Sequence, residues 1–254
     1  VQKNSIIQVN NLEKKYESFH AVKGISFEVQ EGEIFGILGP NGAGKTTTLE
    51  IIETLREKSG GNVSVCGLNI ETQANDIKQL IGVQLQAAGY YPSLTLVELL
   101  VLFAGLYNRE INPMQMLAKV GLEDKAKAKF KELSGGQKQR FSIATTLINQ
   151  PKIIFLDEPT TGLDPQARRN LWDLIRSVRN EGATVVITTH YMDEAEQLCD
   201  RVAVMEAGKI IALDTPDALI DQLVASGFER KKEVKKANLE DVFLSLTGHE
   251  WKDE

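Results

Sequence analysis

At 254 residues the sequence is long enough for one large globular domain, or for a core domain with a smaller subdomain set into it. A composition of 42% hydrophobic and 25% charged residues excludes a disordered or membrane-embedded chain and predicts a packed core. The net charge of −6 argues against a sequence-independent grip on nucleic acid, whose affinity comes from cations set on phosphates, so no nucleic-acid partner is expected.

The opening residues Val1 to Ser5 lack the basic segment and apolar block of a secretory signal. The longest strongly apolar stretch, Leu94 to Leu106, is too short to span a bilayer as a helix and carries Glu98. These features place the chain in the cytoplasm. Apolar alternation at Ile7 and Val9, then at Ile25, Phe27 and Val29, predicts two half-buried, antiparallel strands. After the turn at Glu31 and Gly32, the continuous run Ile34 to Leu38 predicts a strand buried on both faces.

Residues Gly39, Pro40, Asn41, Gly42, Ala43, Gly44, Lys45 and Thr46 follow that strand and open a helical pattern expected to run through Leu49, Ile52 and Leu55. That context is what a phosphate-binding loop requires. Its glycines let backbone amides turn toward phosphates, and the helix start adds its positive end. Lys45 would reach the β- and γ-phosphates, and the Thr46 hydroxyl would hold magnesium. Cys66 and Cys199 are too few and too isolated for a disulfide framework or a zinc site, and both are expected to be buried thiols.

Between Gln86 and Gln150 no strand-like run occurs, and apolar residues recur at helical spacing through Leu96, Leu99, Leu100 and Phe103, which predicts an inserted helical subdomain. Thr95 and Glu98 have the spacing of a capping box at its first helix. Ser134 and Gln137, within Leu133-Ser134-Gly135-Gly136-Gln137, have the same spacing, but the two glycines leave the helix amides uncovered, an end that would attract a phosphate. Since the first loop already holds one end of a nucleotide, this second site would serve another nucleotide or another chain.

The run Ile153 to Leu156 ends in Asp157 and Glu158, at the strand end where ligands collect in open α/β sheets. Asp157 fits the magnesium-holding acid of phosphate-loop enzymes, and Glu158 the group that polarises the attacking water; a plain turn cap is the alternative for Glu158. Asp164 before Pro165 reads as a helix cap. His190 follows the apolar strand Val185 to Ile187 through Thr188 and Thr189. Residues Val202 to Ile211 resemble a hairpin. The predicted fold class is α/β: a phosphate-loop NTPase core with a mostly parallel sheet, an N-terminal antiparallel part and an inserted α-helical subdomain. The core is assigned to residues 1–86 and 151–213, the helical subdomain to 87–150 and a C-terminal tail to 214–254. The basic cluster Arg230 to Lys236 reads as a solvated face.

These motifs, in this order and spacing, resemble the nucleotide-binding subunit of the ABC transporter family over nearly the whole chain. The resemblance implies ATP and Mg2+ as cofactors, and two subunits paired head to tail. Each ATP would lie between the phosphate loop of one subunit, Gly39 to Thr46 with Thr47, and the signature motif Leu133 to Gln137 of the other. It further implies that Tyr16 stacks on adenine, that Val22 lines the same pocket, that His190 contacts the γ-phosphate and that Asp164 lies in the loop across the dimer interface. Thr161 and Gly162 stand there where serine and alanine are common in other branches. For the glutamine that senses the γ-phosphate and magnesium, Gln84 and Gln86 are both candidates; Gln86 is preferred because Ile81, Val83 and Leu85 form one strand face and put it at the strand end.

The ending Asn238 to Gly248 is similar to that of ATPase subunits of bacterial ABC-2 type exporters, although an amphipathic helix would bury Leu239, Val242, Phe243 and Leu246 in any case. The expected partners are a second copy or a related ATPase subunit, and a separately encoded multi-span permease contacted through Gln86 to Leu106, with Tyr90, Tyr91 and Pro92; the adjacent tyrosines suit such an interface but could equally fill the subdomain's own core. The chain would lie peripherally on the inner face of the cell membrane. A non-transport ATPase of the same family, acting on DNA or ribosomes, is the alternative. It is disfavoured because there is no long heptad insertion and only one cassette. A binding module without catalysis is disfavoured because the lysine, both acids and the histidine are present.

Overall fold

The computed structural model describes residues 4–84 and 89–228. Contacts group the chain into two compact units, Val1–Leu219 and Ile220–Glu254. Strands β1 (Ser5–Tyr16) and β2 (Phe19–Gln30) pair antiparallel. With β4 (Gly60–Val65) and β5 (Leu68–Asn69) they form a four-stranded sheet in the order β2-β1-β4-β5. The second sheet has six strands in the order β10-β9-β3-β8-β7-β6, built from β3 (Ile34–Leu38), β6 (Ile81–Gln84), β7 (Ile153–Asp157), β8 (Thr184–Thr189), β9 (Arg201–Glu206) and β10 (Lys209–Asp214). All neighbours in it pair in parallel except the β9–β10 hairpin.

The continuous apolar runs behave as a sheet covered on both faces demands. Along β3, Ile34 and Leu38 join one core while Phe35 and Ile37 join the other; along β7, Ile154 and Leu156 alternate in the same way with Ile153 and Phe155. One core lies with the N-terminal strands and α1 (Lys45–Ile52). The other runs without a break into the helical segment, through α3 (Leu96–Leu106), α4 (Pro113–Lys119), α5 (Gly135–Thr146) and α6 (Pro165–Asn180). Helices α2 (Ala74–Leu80), α7 (Met192–Leu198) and α8 (Pro216–Ala225), with short 3-10 turns at Glu123–Lys125 and Phe130–Glu132, complete the described elements. Among the described residues no helix is long and apolar enough to cross a membrane.

The helix starts are built as their sequences require. Thr95 and Glu98 close a capping box on α3. The side chain of Asn112, just before Pro113, accepts from the amides of Met114 and Gln115 at 3.0 and 3.2 Å. Replacing it by alanine strips two orphan donors of their acceptor, and the expected cost is about 1 kcal/mol, read as a lower urea midpoint with an unchanged slope.

Two expectations need correction. Helix α1 stops at Ile52, not beyond Leu55, because Thr54 adopts a left-handed φ of 63° that ends the helical path and leaves Leu55 exposed. Cys199 is buried, but Cys66 is only partly so, as its position in the turn after β4 leaves one side open. Of the two readings open for Tyr90, an interface or the helical segment's own core, the second holds: its ring meets Phe130 at 4.3 Å and Phe141 at 5.5 Å, and its hydroxyl donates to Ser142 Oγ at 3.1 Å. Its neighbour Tyr91 is exposed. Gln86, the tail from residue 229 on and the basic cluster within it lie outside the described residues.

Candidate functional site

The loop between β3 and α1 closes because glycine stands where nothing larger fits. A Cβ on Gly39 would come within 2.2 Å of the Met205 carbonyl oxygen, and one on Gly44, whose φ is 101°, within 2.6 Å of the Ala21 carbonyl. Gly39 N–H donates to Thr189 O at 3.1 Å, which ties the loop's entry to the end of β8. Lys45 begins α1 with its ammonium turned back into the loop, donating to Gly39 O at 2.9 Å and Pro40 O at 3.2 Å. Phe19, Asn41, Gly42, Thr46 and Thr47 line a cleft of about 410 Å³ with Lys45 and Glu158.

Strands β7 and β8 bring the acids to this loop. The Thr46 hydroxyl lies 3.1 and 3.3 Å from the two Asp157 oxygens. Thr188, fully buried on β8, donates its hydroxyl to Asp157 and accepts the Glu158 amide at 3.0 Å, so one side chain fixes both acids. Glu158 itself has a left-handed φ of 47°, a costly conformation for a side chain of its size. Its Oε1 stands 3.2 Å from Lys45 Nζ and its Oε2 3.2 Å from His190 Nδ1. Burial pushes the Glu158 carboxyl up, but Lys45 and His190 outweigh burial and hold it below the usual carboxylate range. It is therefore ionised at neutral pH and available as a proton acceptor.

The signature segment stands apart from this cluster. Ser134 caps α5, accepting from Gln137 N–H at 3.3 Å, while Gln137 Oε1 accepts from Ser134 N–H at 2.9 Å. Leu133 is buried beneath it, and Ser134 and Gly135 are exposed. Gly135 and Gly136 pack toward Leu163 and Ala167, beside the Asp164 turn. Asp164 caps α6, accepting from Ala167 N–H at 2.7 Å.

Two expected positions behave differently. Val22 has no exposed surface and belongs to the core beneath the loop, so it does not line the cleft: on β2 its side chain points inward. Tyr16 is half-buried, with Lys14 Nζ 5.1 Å and Arg56 Cζ 5.6 Å from its ring centroid. The aromatic ring that lines the cleft is that of Phe19, the cross-strand partner of Tyr16 and 59% exposed. Phe19 and Thr188 both escaped the sequence reading. A phenylalanine directly after a turn signals exposure only once the hairpin is known, whereas a threonine pair ending an apolar strand is a visible sign of polar work there.

The ABC transporter family profile matches residues 22–161, which take in the loop, the signature and both acids. The Nod factor export ATP-binding protein I of Burkholderia lata is 38% identical, over 97% of this chain and 98% of its own. The linearmycin resistance ATP-binding protein LnrL of Bacillus subtilis strain 168 is 39% identical, over 86% of this chain and 72% of its own. Among solved structures, the ADP conformation of an ATP-binding cassette of an ABC transporter superimposes with a TM-score of 0.78 at 25% identity, covering 87% of this chain and 95% of that one. A dimeric post-hydrolysis cassette bound to ADP and Pi gives 0.74 at 28% identity, covering 82% and 98%. The profile takes in more than half of this chain, and relatives above 30% identity cover nearly all of it: the chain belongs to the ABC transporter family, as one of its ATP-binding ATPase subunits.

Proposed function

We propose that this subunit powers an exporter: two copies, or one copy and a related subunit, close head to tail over two ATP molecules and drive a separate membrane permease. The observation that carries the catalytic part is Glu158, held with one oxygen at 3.2 Å from Lys45 and the other at 3.2 Å from His190. Phosphates entering the loop compete for the Lys45 ammonium, which frees Glu158 to orient a water molecule and take its proton as the γ-phosphoryl group leaves ADP for the water oxygen. His190 then faces the transferring group. Phosphoryl transfer needs chiefly positioning and charge neutralisation, which these groups supply.

Thr46 and Asp157 offer oxygen donors side by side, the kind magnesium takes. The described residues hold no cluster of three or more metal-ligating side chains, which suits an ion completed by phosphate oxygens and water. Bound there, magnesium would neutralise charge between the β- and γ-phosphates. Gln86 is proposed as its further contact and as the γ-phosphate sensor. Tyr16 is proposed to take the adenine together with the exposed ring of Phe19, since both rise from the same hairpin turn.

Export is supported by the names of the relatives, one a Nod factor export protein and one a linearmycin resistance protein. The permease surface is proposed at Gln86 to Leu106, where Tyr91, Val101, Leu102 and Leu106 expose apolar area. With that partner the subunit would sit on the inner membrane face. The exposed start of α5 at Ser134 and Gly135 supports a site completed in trans, as does the dimeric form of the cassette bound to ADP and Pi. The test is complementation. Lys45→Ala and Ser134→Arg chains, each inactive alone, regain ATPase activity when mixed, because the mixed dimer keeps one intact composite site. Mixtures as inactive as their components would overturn the head-to-tail arrangement.

A further inference from the structure

Next to the catalytic cluster lies an arrangement that the reaction as described does not use. One turn into α6 from the cap Asp164, the guanidinium of Arg168 lies over the ring of Tyr191, with Cζ 4.4 Å from its centroid. Arg168 Nη1 donates to Asp193 Oδ2 at 3.0 Å, and the side chain is only 19% exposed. Its Nε is buried without a hydrogen-bond partner among the described residues, a cost that a freely placed arginine would avoid by turning to solvent. The neighbour of the Tyr191 ring in the other direction is the His190 imidazole, at 4.1 Å between centroids and an interplanar angle of 39°. The Tyr191 amide is held by Thr189 Oγ1 at 3.0 Å. His190 Nδ1, 3.2 Å from Glu158 Oε2, is buried yet lacks the geometry of a hydrogen bond, so that contact alone does not fix the ring.

We infer that Arg168 is a positioning residue for His190: its planar guanidinium, braced by Asp193, clamps Tyr191, and Tyr191 sets the angle at which the imidazole faces Glu158 and the transferring phosphoryl group. This rests on the reading of His190 as a phosphoryl-facing residue. The same arginine starts from the helix capped by Asp164, with Arg168 N–H donating to Asp164 O at 3.0 Å. A shift of the Asp164 turn, such as a second subunit would cause by pressing on it, therefore moves the clamp. The guanidinium suits the task because its flat face stacks on an aromatic ring while its edge holds a carboxylate, a combination an ammonium lacks.

The experiment measures kcat and KM for ATP in Arg168→Ala, Tyr191→Ala, the double variant and His190→Ala, with melting temperatures alongside. Misaligning a group at the reacting centre lowers kcat by about tenfold to a hundredfold, so Arg168→Ala is expected to do so with KM unchanged. The double variant should be no slower than Tyr191→Ala, because the arginine acts through that ring. Tyr191→Phe, which keeps the ring, should restore turnover. If Arg168→Ala proves unstable, Arg168→Gln, of similar length and no charge, serves in its place. An unchanged kcat, or losses that multiply in the double variant, would overturn the positioning role while leaving the histidine reading intact. Wild-type turnover in His190→Ala would instead remove the histidine reading itself, and the clamp's purpose with it.

Discussion

Glu158→Gln is expected to bind ATP more tightly than the wild type, to hydrolyse it about a hundredfold to ten-thousandfold more slowly, and to accumulate an ATP-bound dimer in size-exclusion chromatography. The amide keeps the volume and the left-handed backbone turn at φ 47° but cannot accept the water's proton. It also removes the negative partner that Lys45 and His190 share, so the ammonium goes to the phosphates without competition. Tighter ATP binding with slow chemistry is the combined result. Binding is read by fluorescence titration and hydrolysis by phosphate release under single-turnover conditions. Hydrolysis at the wild-type rate would remove Glu158 from its role; lost ATP binding would mean that the carboxylate shapes the loop instead.

The reason so much of this site was legible in the sequence is that each part is a local device. A glycine loop between a buried strand and a helix, two acids ending an apolar run, and an aspartate before proline are all decided within about ten residues. The alternation of Phe35 and Ile37 against Ile34 and Leu38 followed from a run too apolar for a half-exposed strand. What could not be read depends on contacts between distant segments. That Thr188 fixes Asp157 and Glu158 requires β7 and β8 to be neighbours in a given register, with Asp157 opposite Thr188. That Tyr90 turns into the helical core requires Phe130 and Phe141, some forty to fifty residues away, to meet it. The place of Val22 came from the resemblance alone, and on β2 its side chain is wholly buried in the core.

A second large effect concerns a residue to which neither the sequence motifs nor the reaction gives a role. Glu53 caps the end of α1, is only 2% exposed, and has an Oε1 without a hydrogen-bond partner among the described residues. Burial, with the charges of Asp157 and Glu50 adding to it, pushes its carboxyl from the ordinary 4.5 up to about 8. The folded chain therefore keeps this proton at pH values where the unfolded chain has lost it. Between about pH 4.5 and 8 the folded state binds more protons, so stability falls as pH rises through that window, and the contribution is fully present only below it. A shift of this size corresponds to about 5 kcal/mol. Glu53→Gln keeps the neutral shape and removes the titration. Its melting curve should lack this decline, with a melting temperature roughly 10 °C above wild type at pH 9 and close to wild type at pH 5. Calorimetry across that range decides it: parallel pH profiles for the two proteins would show that Glu53 is ionised in the fold.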